Sequence, residues 1–108
     1  MDRGDFFYSE GKYVEAILAY DEAIRRDPEY ARAWNNKAAA LAALGRYDEA
    51  IRAYDEALRL DPGSVKVWYN RASALEALGR AEEAEVAYAR ARELTLKREA
   101  PSCPAGQR

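Results

Sequence analysis

Apolar residues recur along the chain at helical spacing and divide it into six segments. One helical face is shared by Trp34, Ala38, Leu41 and Leu44. Gly45 follows and ends that helix, because glycine takes the left-handed conformation that closes helices. A second apolar series occupies 47–58, and the pair Asp61-Pro62 stops it, because proline disfavours a helical residue before it. The pattern predicts helices near 2–10, 13–26, 31–44, 47–60, 65–78 and 81–97.

The helices pair into a unit of 34 residues that repeats along the chain. Aligning 31–64 with 65–98 gives 15 identities in 34 positions, and aligning 1–30 with 35–64 gives 13 in 30. A single helical hairpin cannot bury its own apolar face, so neighbouring units must stack. The sequence therefore predicts one domain over 1–97, made of the units 1–30, 31–64 and 65–97.

Small residues mark the expected contact between the two helices of each unit. We expect Gly4, Ala38 and Ala72 to face Ala16, Ala50 and Ala84, respectively. Tyrosines should fill the space beside these contacts: Tyr20, Tyr54 and Tyr88. A large residue at any of these small positions would overpack the interface.

The repeated unit A-W-N-N-K-A-A-A-L-A-A-L-G-R-Y-D-E-A-I-R-A-Y-D-E-A-L-R-L-D-P resembles a tetratricopeptide repeat. The family pattern places aromatic, small, large apolar, glycine, tyrosine, alanine and proline residues at set offsets, and 31–64 match all of them. The third unit departs from it at Ala81 and Leu96, and the first lacks the counterpart of Trp34. The resemblance implies an all-α fold, a right-handed superhelical array of antiparallel helix hairpins, or α-solenoid.

The third unit also differs on the face that would meet another repeat. Glu85 and Arg92 replace apolar residues of the earlier units, which predicts that no fourth repeat follows. Residues 98–108 contain two prolines and no apolar periodicity, and we expect them to form a disordered tail. The pattern also leaves open that the chain is a piece of a longer array.

Composition narrows the functional classes. The net charge is −2 and no basic stripe exists, which argues against a nucleic-acid partner. No apolar run is long enough for a membrane span and no secretory signal is present, so we expect a cytoplasmic protein without a membrane partner. With no histidine, one cysteine (Cys103) and no phosphate loop or nucleophile motif, the sequence predicts no enzyme, no metal and no cofactor.

The resemblance implies a concave groove lined by the first helix of each unit. The residues placed there by register are Asp5, Arg32, Asn35, Asn36, Lys66, Tyr69, Asn70 and Ser73. Asn36 and Asn70 occupy the same repeat position, and an asparagine can both donate to and accept from the backbone of an extended peptide. Local hydrogen bonding is the alternative. The predicted function is a protein–protein interaction module that binds a peptide or partner protein in this groove.

Some family members hold the acidic C-termini of chaperones in a clamp of lysines, arginine and asparagines. By register, Asn36 and Lys66 match two clamp positions, but Met1, Asp5 and Asn70 do not. A carboxylate at Asp5 should repel an acidic tail. The resemblance therefore does not extend to the whole clamp, although Arg32 and Lys66 remain able to pair with one acidic side chain.

A second hypothesis is a self-assembling scaffold that associates through its uncapped ends as a homo-oligomer. Phe6 and Tyr8 are larger than their counterparts in the second unit, Ala40 and Ala42. They either fill the space left by the missing first turn or form a self-association surface.

Overall fold

In the computed structural model of the chain, residues 3–99 are described, and their side chains as far as residue 97. They form six α-helices and no strand. The helices are α1 (Arg3–Ser9), α2 (Tyr13–Arg26), α3 (Ala31–Ala43), α4 (Tyr47–Leu60), α5 (Val65–Ala77) and α6 (Ala81–Glu99). The first five lie within one residue of the ranges that the periodicity predicts, and the last runs two residues further.

The turn inside each hairpin depends on a glycine. At the end of α3, Gly45 has φ +82°, a left-handed conformation that side chains other than glycine rarely adopt. Its amide donates to the carbonyl of Ala42 and the amide of Arg46 donates to that of Leu41, each at 2.9 Å. These bonds satisfy carbonyls that the helix end leaves without partners, so α4 can turn back along α3.

The helices stack in chain order. Each helix packs on its neighbours in sequence, and the first helices also contact one another, α1 with α3 and α3 with α5. The array measures 51 × 32 × 24 Å. The first helices therefore lie side by side along one face, while α2, α4 and α6 lie behind them. The predicted all-α solenoid of helix hairpins is confirmed.

The interior is built mainly from alanine. Ala16, Ala38, Ala50 and Ala72 are fully buried, which allows the paired helices to approach closely. In the first hairpin the approach is closer still, because a Cβ added at Gly4 would lie less than 3.0 Å from three ring atoms of Tyr20. The predicted pairing of small residues with a neighbouring tyrosine is present in this hairpin.

Two equivalent ion pairs connect successive units. Lys37 Nζ lies 2.8 Å from Asp21 Oδ1, and Arg71 Nε lies 2.7 Å from Asp55 Oδ1. Both pairs join the first helix of one unit to the second helix of the unit before. They are 34 residues apart, so the packing between units repeats as the sequence does.

The outer face of α6 differs from that of α4. Glu85 and Arg92 are exposed, whereas Ile51 and Leu58 at the same repeat positions are buried. The helix continues to Glu99, beyond the predicted boundary at 97. The rest of the predicted disordered tail, 100–108, lies outside the described residues.

Candidate functional site

The first helices border a depression of about 570 Å³ that we call the groove. Six of the eight residues predicted for it line it: Asp5, Asn35, Asn36, Lys66, Asn70 and Ser73. Ala39, Ala42 and Ala43 leave room along α3, and tyrosines from α2 and α4 reach it from behind. The groove thus combines polar walls from three helices with an aromatic floor.

The first section of the groove is centred on the carboxylate of Asp5. Its Oδ1 accepts hydrogen bonds from the Tyr20 hydroxyl at 2.6 Å and from Asn36 Nδ2 at 3.1 Å. Its Oδ2 accepts from Arg32 Nη2 at 3.3 Å. Three donors on two helices, α2 and α3, therefore converge on one carboxylate of α1, and this acceptor belongs to the chain itself.

The second section lies one repeat further along and contains Ala39, Tyr54, Lys66 and Asn70. The side chain of Tyr54 is only 3% exposed, and its hydroxyl makes no hydrogen bond to any residue in 3–99. Burial, with the Tyr8 hydroxyl nearby, raises the pKa of Tyr54 above the ordinary value of 10.0. The hydroxyl therefore stays protonated and able to donate at neutral pH.

A pair of asparagines connects α3 and α5 between the two sections. Asn35 is 7% exposed, and its Oδ1 accepts a hydrogen bond from Asn70 Nδ2 at 3.4 Å. The distance is long for such a bond. One of the two N–H groups of Asn70 is used in this bond, and the other is available to the groove.

Two predicted groove residues do not line it. Arg32 lies at its rim, beside Asp5, and borders a smaller depression of about 260 Å³ with Asn35, Asn36 and Lys66. The ring centroids of Tyr69 and of Tyr88 on α6 are 5.9 Å apart. The ring thus packs on α6 beside the groove and stays exposed, and a ligand contact by Tyr69 stays a prediction.

Phe6 and Tyr8 lie on different faces of α1. Phe6 is 50% exposed and packs edge-on against Phe7. Tyr8 lines the groove and packs against Tyr13, with ring centroids 5.2 Å apart. Residues two apart in a helix point about 200° apart, so these side chains do not form one surface.

Sequence reasoning missed the tyrosines of the second helices as groove residues. Periodicity places Tyr20 and Tyr54 in the buried stripe, which is correct for their rings. The Tyr20 hydroxyl reaches Asp5 in the groove, and Tyr54 lines the groove one repeat further along. The choice of tyrosine at these positions could have indicated this role. The family pattern requires only an aromatic residue there, and a buried tyrosine hydroxyl requires a hydrogen-bond partner.

The described residues contain neither a membrane-spanning helix nor a metal site. Between residues 3 and 99, no helix combines the length and hydropathy that a bilayer span requires. The same residues include no group of three or more histidine, cysteine, aspartate or glutamate side chains placed to hold a metal ion.

The stacked hairpins and their shared groove define a helical repeat protein, and comparison with known families identifies which kind. Two family models, both described as tetratricopeptide repeat, match residues 1–65 and 41–100. The chain belongs to the tetratricopeptide repeat family, a protein-interaction fold, and the resemblance predicted from the repeat unit is confirmed.

Known proteins are similar to the chain in sequence and in structure. Hsp70-Hsp90 organizing protein 3 of Arabidopsis thaliana is 44% identical over 43 residues, which are 40% of this chain and 8% of that protein. The second TPR of Spaghetti (RPAP3), bound to HSP90 peptide SRMEEVD, has a TM-score of 0.83 at 33% identity and covers 86% of each chain. A TPR2B-domain:pHsp70-complex of yeast Sti1 has a TM-score of 0.85 at 33% identity, over 87% of this chain and 75% of that one.

Proposed function

We propose that the domain binds an extended segment of another protein in the groove. The observation that carries the proposal is the set of hydrogen-bonding side chains that α3 and α5 present along it, from Asn36 to Asn70 and Ser73. An extended peptide has unpaired backbone donors and acceptors, and asparagine side chains can bond to both. Arg32 at the rim and Tyr69 beyond it would contact the flanks of a bound segment.

The similar structures support this proposal. The Spaghetti domain, which matches the chain over most of its length, is bound to a peptide. Asp5 distinguishes this chain from the family members with a carboxylate clamp, because its carboxylate already accepts from Asn36. We therefore propose a peptide or protein partner without assigning the acidic chaperone tails to it. The proposal includes no catalytic step, and the cytoplasmic location and the exclusion of nucleic-acid and membrane partners stay predictions.

A peptide-display selection tests the proposal. The parent chain is compared with Asn36→Ala/Asn70→Ala, which removes groove amides, and with Arg52→Ala/Val86→Ala, which truncates two exposed side chains at one repeat position of the second helices. We expect peptides that bind the parent and the Arg52→Ala/Val86→Ala control equally, and bind the asparagine variant at least about tenfold more weakly. Equal binding to all three proteins contradicts a groove site.

Self-association through Phe6 is a second candidate, favoured by the exposure of half of that side chain. Tyr8 belongs to the groove and not to this surface. Sedimentation over a hundredfold range of concentration, about 2 to 200 μM, tests the idea on the parent and on Phe6→Ser. Association that disappears with Phe6→Ser supports it, and a parent that stays monomeric throughout contradicts it.

A further inference from the structure

Three apolar positions that are buried in the second and third units are partly exposed in the first unit. In the later units these positions are no more than 4% exposed, and they hold Leu41, Ala53, Ala57, Leu75, Ala87 and Ala91. The first unit has Phe7, Ala19 and Ala23 at the same repeat positions, and all three are partly exposed. The first unit therefore has an apolar surface whose counterparts are covered elsewhere in the chain.

In the later units a tryptophan lies beside the equivalent surface. The Trp34 ring packs against the buried core and borders the same depression as Leu41 and Ala53. Its Nε1 donates a hydrogen bond to a backbone carbonyl at 3.0 Å, and Trp68 makes the equivalent bond in the third unit. The corresponding position of the first unit, 34 residues before Trp34, would precede Met1. The place that a tryptophan takes in the two later units is therefore not taken by a tryptophan of the first.

The exposed surface is the floor of a two-part depression of about 380 Å³ and 210 Å³, which we call the N-terminal depression. Phe7 and Leu18 line its larger part, Ala23 lines the smaller part, and Arg3 and Ala19 line both. Leu18 is 64% exposed and adds apolar area to the floor. None of these residues lines the groove. The N-terminal depression is thus a separate, largely apolar site between α1 and α2.

A cation at the edge of the N-terminal depression favours an aromatic occupant. Arg3 is the counterpart of Lys37, whose Nζ lies 5.5 Å from the centroid of the tryptophan ring in its own unit. The side chain of Arg3 makes no ion pair or hydrogen bond within residues 3–99. Glu22 at the rim is already paired with Arg25 and Arg26. Because a cation is attracted to the face of an aromatic ring, Arg3 would stabilise a bound ring more than an aliphatic side chain.

We infer that the N-terminal depression binds a tryptophan side chain of a partner protein. The indole ring would lie on Ala19 and Ala23, at the repeat position that Trp34 has in the second unit. The guanidinium group of Arg3 would lie over the ring, as the ammonium group of Lys37 does in the second unit. Covering the partly exposed floor removes apolar area from water, which is the main source of affinity for a large aromatic side chain. The inference does not depend on peptide binding in the groove.

The site can be tested with a short neutral peptide, acetyl-Gly-Trp-Gly-amide, and with acetyl-Gly-Leu-Gly-amide as its aliphatic control. Each is titrated into the ¹⁵N-labelled chain, and the amide signals are followed by NMR. We expect saturable shifts at Phe7, Ala19 and Ala23, with a Kd on the order of 1–10 mM, as for a single side chain. The leucine peptide should bind at least about threefold more weakly, since it lacks the attraction between cation and ring.

Filling the N-terminal depression from the chain should prevent binding. Ala19→Met places a longer apolar side chain on the floor, and Val14→Met makes a similar change on the same helix, at a position that is 55% exposed and outside the depression. We expect the tryptophan peptide to bind Ala19→Met at least about fivefold more weakly than the parent, and to bind Val14→Met as it binds the parent. Circular dichroism of both variants checks that the helices are intact.

A second test supplies the tryptophan within the chain. An N-terminal extension Ala-Arg-Ala-Trp, the sequence of 31–34, places a tryptophan one repeat before Trp34, and Ala-Arg-Ala-Ala is its control. We expect the tryptophan extension to melt at least about 4 °C above the alanine extension, because its ring covers the exposed floor. It should also abolish binding of the tryptophan peptide, while the alanine extension should keep it.

Three results would overturn the inferred site. They are the absence of saturable shifts at Phe7, Ala19 and Ala23, equal binding of the tryptophan peptide to Ala19→Met and the parent, and extended chains that melt alike and bind the peptide alike. Free indole is titrated in parallel to identify the source of the ring. If indole produces the shifts and the peptide does not, the N-terminal depression accepts a small aromatic molecule and not a side chain of a protein, and the inferred partner is wrong.

Discussion

Asp5 and Ala39 occupy the same repeat position. Because only Asp5 has a carboxylate, the hydrogen-bond donors around it have an acceptor within the chain, and those around Ala39 do not. In the first section the donors Tyr20, Arg32 and Asn36 are all bonded to the chain's own carboxylate. In the second section the equivalent donors border the groove without that acceptor. A repeat protein can therefore make one section of its binding face structural and leave the next open to a ligand by changing one residue.

The helix packing behind the two sections also differs. Gly4 allows the ring of Tyr20 to lie where a Cβ would otherwise be, and this approach brings the hydroxyl to Asp5. The counterpart of Gly4 in the second unit is Ala38, which is fully buried. The first section thus combines a glycine and an acid where the second has two alanines, so each difference can be tested separately.

The largest effect is expected from Gly4→Ala. The added methyl would overlap the buried Tyr20 ring, at about 3 kcal/mol for overpacking, while the better helix propensity of alanine offsets about 1 kcal/mol. We expect a net loss of about 2 kcal/mol in the free energy of unfolding, measured by urea denaturation. Gly63→Ala is the control and should be nearly neutral, because a Cβ there meets nothing within 4 Å. Equal effects of the two changes would mean that the Tyr20 ring can move away freely.

The next effect is expected from Asp5→Ala, which gives the first section the alanine that the second section has at this position. Three donors lose their shared acceptor, and we expect a loss of about 1.5 kcal/mol, within the range for removing one partner of a part-buried hydrogen-bonded group. Ser73→Ala, at the same position of the third unit, should change the free energy of unfolding by less than about 0.5 kcal/mol. Urea denaturation of both variants checks this, and a stable Asp5→Ala protein would show that the network contributes little.

Features that follow from the sequence periodicity could be predicted, whereas features that depend on the direction of a side chain could not. The spacing of Trp34 and Trp68 determines the repeat, and Gly45 and Pro62 determine the helix ends, so the fold and its boundaries were predictable. The face on which Asn36 and Asn70 lie follows from the helical register as well.

The remaining features depend on tertiary contacts that one sequence does not contain. Asp5 is expected from its charge to repel acids, but the structure adds that Tyr20 and Asn36 are bonded to it. The direction of the Tyr54 hydroxyl depends on how closely α3 and α4 pack. The position of Tyr69 depends on whether another helix lies beside α5. Register arithmetic alone would nevertheless have aligned Asp5 with Ala39 and revealed the missing acceptor.

Removing one hydroxyl from each section gives a smaller and more specific contrast. Tyr20→Phe deletes the bond to Asp5 and should lower the free energy of unfolding by about 1 kcal/mol. Tyr54→Phe removes a buried hydroxyl that has no partner in the described residues, so it should be neutral or slightly stabilising. Urea denaturation of the two variants measures the contrast directly. A loss of similar size in both would indicate that Tyr54 is hydrogen-bonded in solution, and the second section would then not be open.

The smallest effect is the dependence of stability on alkaline pH. Because burial raises the pKa of Tyr54 in the folded state above its ordinary value of 10.0, the unfolded chain releases this proton first as the pH rises. The contribution of Tyr54 to the free energy of unfolding is fully present well below pH 10 and is lost as the pH rises. At pH 10, where half of the Tyr54 side chains of the unfolded chain are ionised, the loss is about 0.4 kcal/mol. Tyr54→Phe removes this part of the decline. Tyr88, whose pKa is raised by its hydrogen bond to Glu76, remains in both proteins, so the difference between parent and variant isolates Tyr54. Urea midpoints from about pH 8 to about pH 10.5 should therefore fall more steeply for the parent, and parallel curves would show that the Tyr54 hydroxyl is already exposed to water.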